Sequence, residues 1–250
     1  MTGTLHAAGT LARRNVLLLA NPRFLSVVFV VPLVFFVGFA AVLHKLLNPL
    51  VDFAMFFPPA IVVQVAMDSA ITTAFFLAGD RRDGIVARLR SMPISSLAFP
   101  LARLGVDASR FAVSATVVVC AGLVVGFRFE GGVLRTLGFA AIAVWFTLAL
   151  SALTSAIGLR SDDPETVSSN LYLPYLPLLT LSTAFVPISA FPRAVEPVVR
   201  NSPVSAVVQA LRGFSAGDIT GVTLGRAVGW LALLSVVGGV AVVRAFRRAP

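Results

Sequence analysis

FAMFFPPAIVVQVAMDSAITTAFFLAGDRRDGIVARLRSMP, residues 53–93, changes character at its two-thirds point. From Phe53 to Gly79 the only charge is Asp68. The remaining stretch holds Asp80, Arg81, Arg82, Asp83, Arg88 and Arg90 before Pro93 stops it. An apolar run of that length spans a bilayer as a helix, at about 1.5 Å per residue across roughly 30 Å of hydrocarbon. The charges that follow belong at the membrane surface.

The same contrast holds along all 250 residues. The chain is 58% hydrophobic and 12% charged, where a soluble domain carries about 25% charged residues. That polar surface is too small to face water, so the spacing predicts an all-α integral membrane protein with a single domain over 1–250. Six spans are expected, at about 26–43, 53–79, 107–127, 136–159, 171–191 and 226–243. With the N-terminus inside, thirteen of the 20 basic residues fall on the inner side and seven on the outer. This excess places both termini in the cytoplasm and the protein in the cytoplasmic (inner) membrane. The net charge of +9 fits anionic headgroups in the lipid bilayer. It does not indicate nucleic acid, because no basic patch is interleaved with exposed aromatics.

Catalytic templates fit poorly. The single lysine, Lys45, follows His44, so no phosphate-binding loop ending in Gly-Lys-Ser/Thr exists. The single cysteine, Cys120, excludes an intrachain disulfide, and His6 and His44 are assigned to opposite sides of the membrane. No metal site is expected. Asp80-x-x-Asp83-Gly84-x-x-Ala87-Arg88 resembles the first half of the signature of CDP-alcohol phosphotransferases, whose metal-dependent chemistry needs several carboxylates. The second half is missing: Leu97, Leu101 and Gly105 stand where it requires Gly and two Asp, and Asp107 is out of phase.

As a surface element the stretch reads differently. Residues 80–92 are expected to form a helix, with Asp80 or Asp83 favouring its first turn and Pro93 ending it. Ile85, Leu89 and Met92 make an apolar stripe beside Arg81 and Arg88, which suits docking into a partner's groove. DRRDGIVARLRSMPISS resembles the cytoplasmic loop between spans two and three of ABC-2 type transporter permeases, close to E-R-E-x-G-T-x-x-x-L-x-x-x-P. Asp80, Arg81, Gly84, Leu89 and Pro93 are in register, while Arg82 and Ile85 depart. FVPISAFPRAVEPVVRNSPVSAVVQALRGFSAGD, residues 185–218, is similar to that family's outer segment between spans five and six, with Asn201, Pro203 and Arg212 in place. VVGFRF (124–129) and the terminal RRAP are similar to the daunorubicin/doxorubicin-resistance permeases of actinobacteria, which export drugs or lipids.

The resemblance implies a permease subunit of an ABC exporter that moves a lipophilic drug or lipid outward. This chain would carry no cofactor and no ATPase site. Two copies of a separate ATPase subunit would supply ATP and Mg, and a second permease, identical or homologous, would complete the path. Asp80, Arg81, Arg82, Asp83, Gly84, Arg88, Leu89, Met92 and Pro93 would form the coupling helix. An amphipathic helix with Leu5, Ala8, Ala12, Val16 and Leu19 on one face would lie on the inner leaflet ahead of span one, and a re-entrant or helical segment would sit outside between spans five and six.

Asp68 is the one charge expected in a span core, a costly placement that marks a functional position. Gln64 lies one turn earlier, and the proline-broken fifth span adds Tyr172, Tyr175 and Thr180 as candidates for the translocation path. Gly122-x-x-x-Gly126 is expected to permit close helix packing.

Overall fold

A computed structural model describes residues 30, 32–42, 51–91 and 98–248. The expected amphipathic N-terminal helix, Met92 and Pro93 lie outside the described residues. The regular elements are helical: α1 (Pro32–Val42), α2 (Phe53–Arg82), α3 (Ile85–Ser91), α4 (Ala98–Val125), α5 (Gly132–Gly158), α6 (Pro164–Thr180), α7 (Glu196–Asn201), α8 (Pro203–Ala216) and α9 (Gly221–Arg248), with a 3-10 turn at Ile188–Ala190. Four are long and apolar enough to cross a membrane: α2, α4 from Arg103, α5, and α9 to Phe246. This is a multi-pass membrane protein. Of the two remaining expected spans, the fifth is the 17-residue helix α6, and the first is described over Pro32–Val42 as α1.

Helix α2 is the axis of the bundle. Of its most apolar stretch 78% is buried, against 22% for that of α9, so α2 is enclosed by protein and α9 lies outside it. Asp52 starts α2 by accepting from the Ala54 N–H (3.0 Å), and Pro58 and Pro59 sit in its second turn. α5 runs alongside α2 in the same direction. Gly158 brings it so close that a Cβ there would lie 2.5 Å from the Ala74 carbonyl oxygen, and the Thr154 hydroxyl donates to Ala70 O (2.6 Å). α4 and α6 run the other way. The outward faces carry Val124, Leu134 and Leu173, each about four-fifths exposed, where a bilayer supplies the apolar partner.

At one end of the bundle α8 closes over the start of α2. Ser202 caps α8 by accepting from the Ser205 N–H (3.1 Å), Pro203 opens it, and Gly217 ends it in the left-handed region (φ 81°). Arg212 pins it: Nε donates to Phe56 O (2.9 Å), Nη1 to Thr183 O and Nη2 to Ala184 O (both 2.7 Å), and the guanidinium stacks on the Phe56 ring at 3.4 Å. α3 lies at the opposite end.

Three sequence expectations need correction. Residues 80–92 do not form one helix. α2 continues through Asp80, Arg81 and Arg82, then breaks at Asp83 and Gly84 (φ 72°) before α3 begins. Gly84 is the residue that adopts this left-handed step cheaply. Gly84→Val is therefore expected to cost about 1–2 kcal/mol in backbone strain, because no neighbour lies within 4 Å of a Cβ there, and Gly84→Asn much less. Apparent melting temperatures of the purified variants check this, and equal values for the two would refute it.

The helix expected at 171–191 instead occupies Pro164–Thr180. Asp163 accepts from the Glu165 N–H (3.1 Å) and from the Thr166 hydroxyl, which holds its carboxyl below the usual carboxylate range. Counting only uncharged residues misses this cap. Pro174 and Pro177 weaken the later turns, and Ser182 ends the helix by donating to Leu179 O (2.6 Å). Third, Gly122 does permit close packing, with a Cβ 3.0 Å from Pro58, but Gly126 (φ 109°) ends α4 instead.

Candidate functional site

The last turn of α2 is locked to the α5–α6 connection. The Arg81 guanidinium donates to Leu159 O and pairs with Asp162 (Nε–Oδ1 2.6 Å). Arg81 thus points inward at the bundle, not along a docking face. Asp80 faces Arg103 of α4 (3.6 Å), while Asp83 and Arg82 pair with each other at the surface (3.6 Å). With each carboxylate opposite an arginine, the half-signature of a phosphotransferase does not assemble as a carboxylate cluster. Beyond Gly84, α3 buries Val86 and exposes Arg88, so it is fixed to the bundle on one side and presented on the other. Leu89 falls in α3 at the apolar spacing already noted.

Deeper along α4 is a cluster that the sequence did not single out. Asp107 is fully buried and pairs with Arg110 (3.3 Å), and Arg103 stands 3.9 Å away on its other side. Arg110 also donates to Ser69 O (2.7 Å) and lies 3.2 Å from the Ser69 and Thr73 hydroxyls of α2. These charges lie within the membrane-length part of α4, so Asp68 is not the only ionisable side chain at depth. The spacing of four and three, Arg103–Asp107–Arg110, puts them on one helix face and was the readable signal.

Around Asp68, the proposed path residues divide. Gln64 and Asp68 of α2 both reach the phenol of Tyr175 on α6. The Tyr172 ring stands edge-on to Tyr175, centroids 5.4 Å apart, and is 44% exposed. Thr180 is apart from this group: its hydroxyl donates back to Leu176 O (2.8 Å) within its own helix.

Residues 41–244 match the family model described as ABC-2 family transporter protein, most of the chain and every helix from α2 to α8. The chain belongs to the ABC-2 transporter family. Among its relatives is the probable doxorubicin resistance ABC transporter permease protein DrrC of Mycobacterium tuberculosis, 30% identical over 253 residues that cover 98% of this chain and 90% of that protein. Another is the daunorubicin resistance permease DrrB1 of Streptomyces coeruleorubidus, 28% identical over 66% of this chain and 59% of its own. M. tuberculosis DrrB is 31% identical over 68% and 58%. ABC-2 membership gives the helical break at Gly84 a place: α3 is the short helix between the second and third expected spans of this ABC-2 chain.

Proposed function

We propose that the protein is the permease subunit of an ABC exporter, carrying a lipophilic drug or lipid outward while a separate ATPase subunit hydrolyses ATP. What carries the reading is α3: a short helix with one buried and one exposed side, set off by Gly84 from a helix that runs the depth of the bundle. A push on α3 enters α2 directly, and the Arg81 lock to Leu159 and Asp162 passes it to α5 and α6. The relatives named as drug-resistance permeases, one of them matched over nearly its whole length, support the export direction and the substrate class. In this reading the α3 end and both termini are cytoplasmic and α7 and α8 are outside. Two ATPases bind ATP and Mg, and a second permease faces this one. Gln64, Asp68, Tyr172 and Tyr175 border the path, and Thr180 stands further along it.

The test separates docking from folding. Arg88→Glu, on the exposed side of α3, is expected to lower co-purification of the ATPase at least tenfold while the permease stays inserted and folded. Arg81→Glu is expected to lower the melting temperature instead, because it removes contacts inside the bundle. Normal ATPase recovery and transport with Arg88→Glu would overturn the docking role of α3.

A further inference from the structure

We infer that the last two turns of α9 form the seat of α3, with Phe246 as the residue that positions the docking helix. The inference rests on the docking role proposed for α3 and adds a second element to it.

Helix α9 changes its surroundings along its length. Through its middle it turns Leu233, Val236, Val237 and Val240 outward, each between 45% and 64% exposed, where a bilayer supplies the apolar partner. In its last two turns Val242, Ala245 and Phe246 are buried, although Arg244 among them is exposed. Protein supplies the cover there. These three side chains share one apolar cluster with Val86 of α3, Leu77 of α2, and Ala156 and Leu159 at the end of α5. The cluster is separate from the main core, which takes in no described residue of α3. Val86, only 2% exposed, is set into it, so this cluster is the surface on which α3 rests.

The seat is keyed to the rest of the bundle by backbone contact. At Gly238 a Cβ would lie 2.9 Å from Leu153 N, and at Gly158 a Cβ would lie 2.5 Å from Ala74 O. α9 thus meets α5, and α5 meets α2, with no side chain between them to give way. Close-packed surfaces of this kind transmit a displacement and do not absorb it. α3 is therefore held at two places, through Gly84 to the end of α2 and through Val86 to the end of α9. The Gly84 step alone would leave the direction of α3 to a few permissive backbone angles, and the apolar seat fixes it. A smaller side chain at position 246 leaves α3 attached but free to tilt. An ATPase that reads the exposed face of α3 then meets that face in the wrong direction.

The experiment titrates the permease in nanodiscs with its ATPase and a non-hydrolysable ATP analogue. Phe246→Ala is expected to weaken binding about fivefold, the order of effect of a residue that acts through another. Phe246→Leu refills most of the volume and is expected to stay within about twofold of the wild type. Leu231→Ala is the control. It empties a fully buried position of the same helix, in the main core and about 22 Å along α9 from Phe246. It is expected to lower the melting temperature at least as much as Phe246→Ala while binding stays within about twofold. Binding that falls no further for Phe246→Ala than for Leu231→Ala overturns the seat. A second readout needs no variant: adding the ATPase to the wild type is expected to slow amide exchange over 241–248 together with 85–91. Slowing over 85–91 alone overturns the seat as well. Arg88→Glu keeps the two readings apart. If it weakens binding and Phe246→Ala does not, α3 is the docking site and the seat fails. If Phe246→Ala weakens binding and Arg88→Glu does not, the ATPase rests on α9 itself, and docking on α3 fails together with the seat.

Discussion

Arg212→Ala is expected to be the most destabilising single change in the outer part of the bundle, by about 3–5 kcal/mol. The guanidinium donates from α8 to three main-chain carbonyls, Phe56 O, Thr183 O and Ala184 O, and it covers the Phe56 ring. Hydrogen bonds to a charged group are worth about 1.5–3 kcal/mol each, and every buried carbonyl left bare adds a desolvation cost, though such terms do not simply add. At roughly 2–4 °C per kcal/mol for a chain of this size, the apparent melting temperature should fall by roughly 10 °C. Arg212→Lys keeps the charge but cannot fork across three acceptors, so it is expected to recover less than half of the loss. A melting temperature within about 2 °C of the wild type for Arg212→Ala, below the shift of a single kcal/mol, would remove Arg212 from this role.

Arg110→Met is expected to cost a similar amount, about 3–5 kcal/mol, for a different reason. It leaves the fully buried Asp107 without its nearest cation and strips Ser69 O of a 2.7 Å donor. Removing one member of a buried ion pair is costly because the other charge remains, whereas replacing both by apolar groups of similar volume is often neutral. The double variant Asp107→Leu/Arg110→Met should therefore be markedly more stable than Arg110→Met alone. A thermal-unfolding double-mutant cycle measures the difference. If the double variant is as unstable as the single one, the hydrogen bonds from Arg110 to α2 matter more than the pairing with Asp107.

Composition and the run of apolar residues were sufficient to determine a helical membrane protein, because transfer from water to hydrocarbon is a sum over single residues. They also located α2, α5 and α9 to within a few residues, whereas the break at Gly84 falls inside what the pattern alone reads as one helix over 80–92. The sequence also marked Gln64, Asp68 and Tyr175 as candidates, since polar groups at membrane depth stand out one by one. It did not say that the three meet, or that Thr180 stays apart. Helix ends were the weak point: the Asp163 cap and the Gly84 step are set by one or two backbone angles that hydropathy does not sense. Only the tertiary structure could decide what each charge is for. Arg81 finds Leu159 O 78 residues away and Arg212 finds Phe56 O 156 residues away. In a medium without water a polar side chain must find its partner within the protein, and that partner is chosen by how the helices pack, not by its neighbours in the chain.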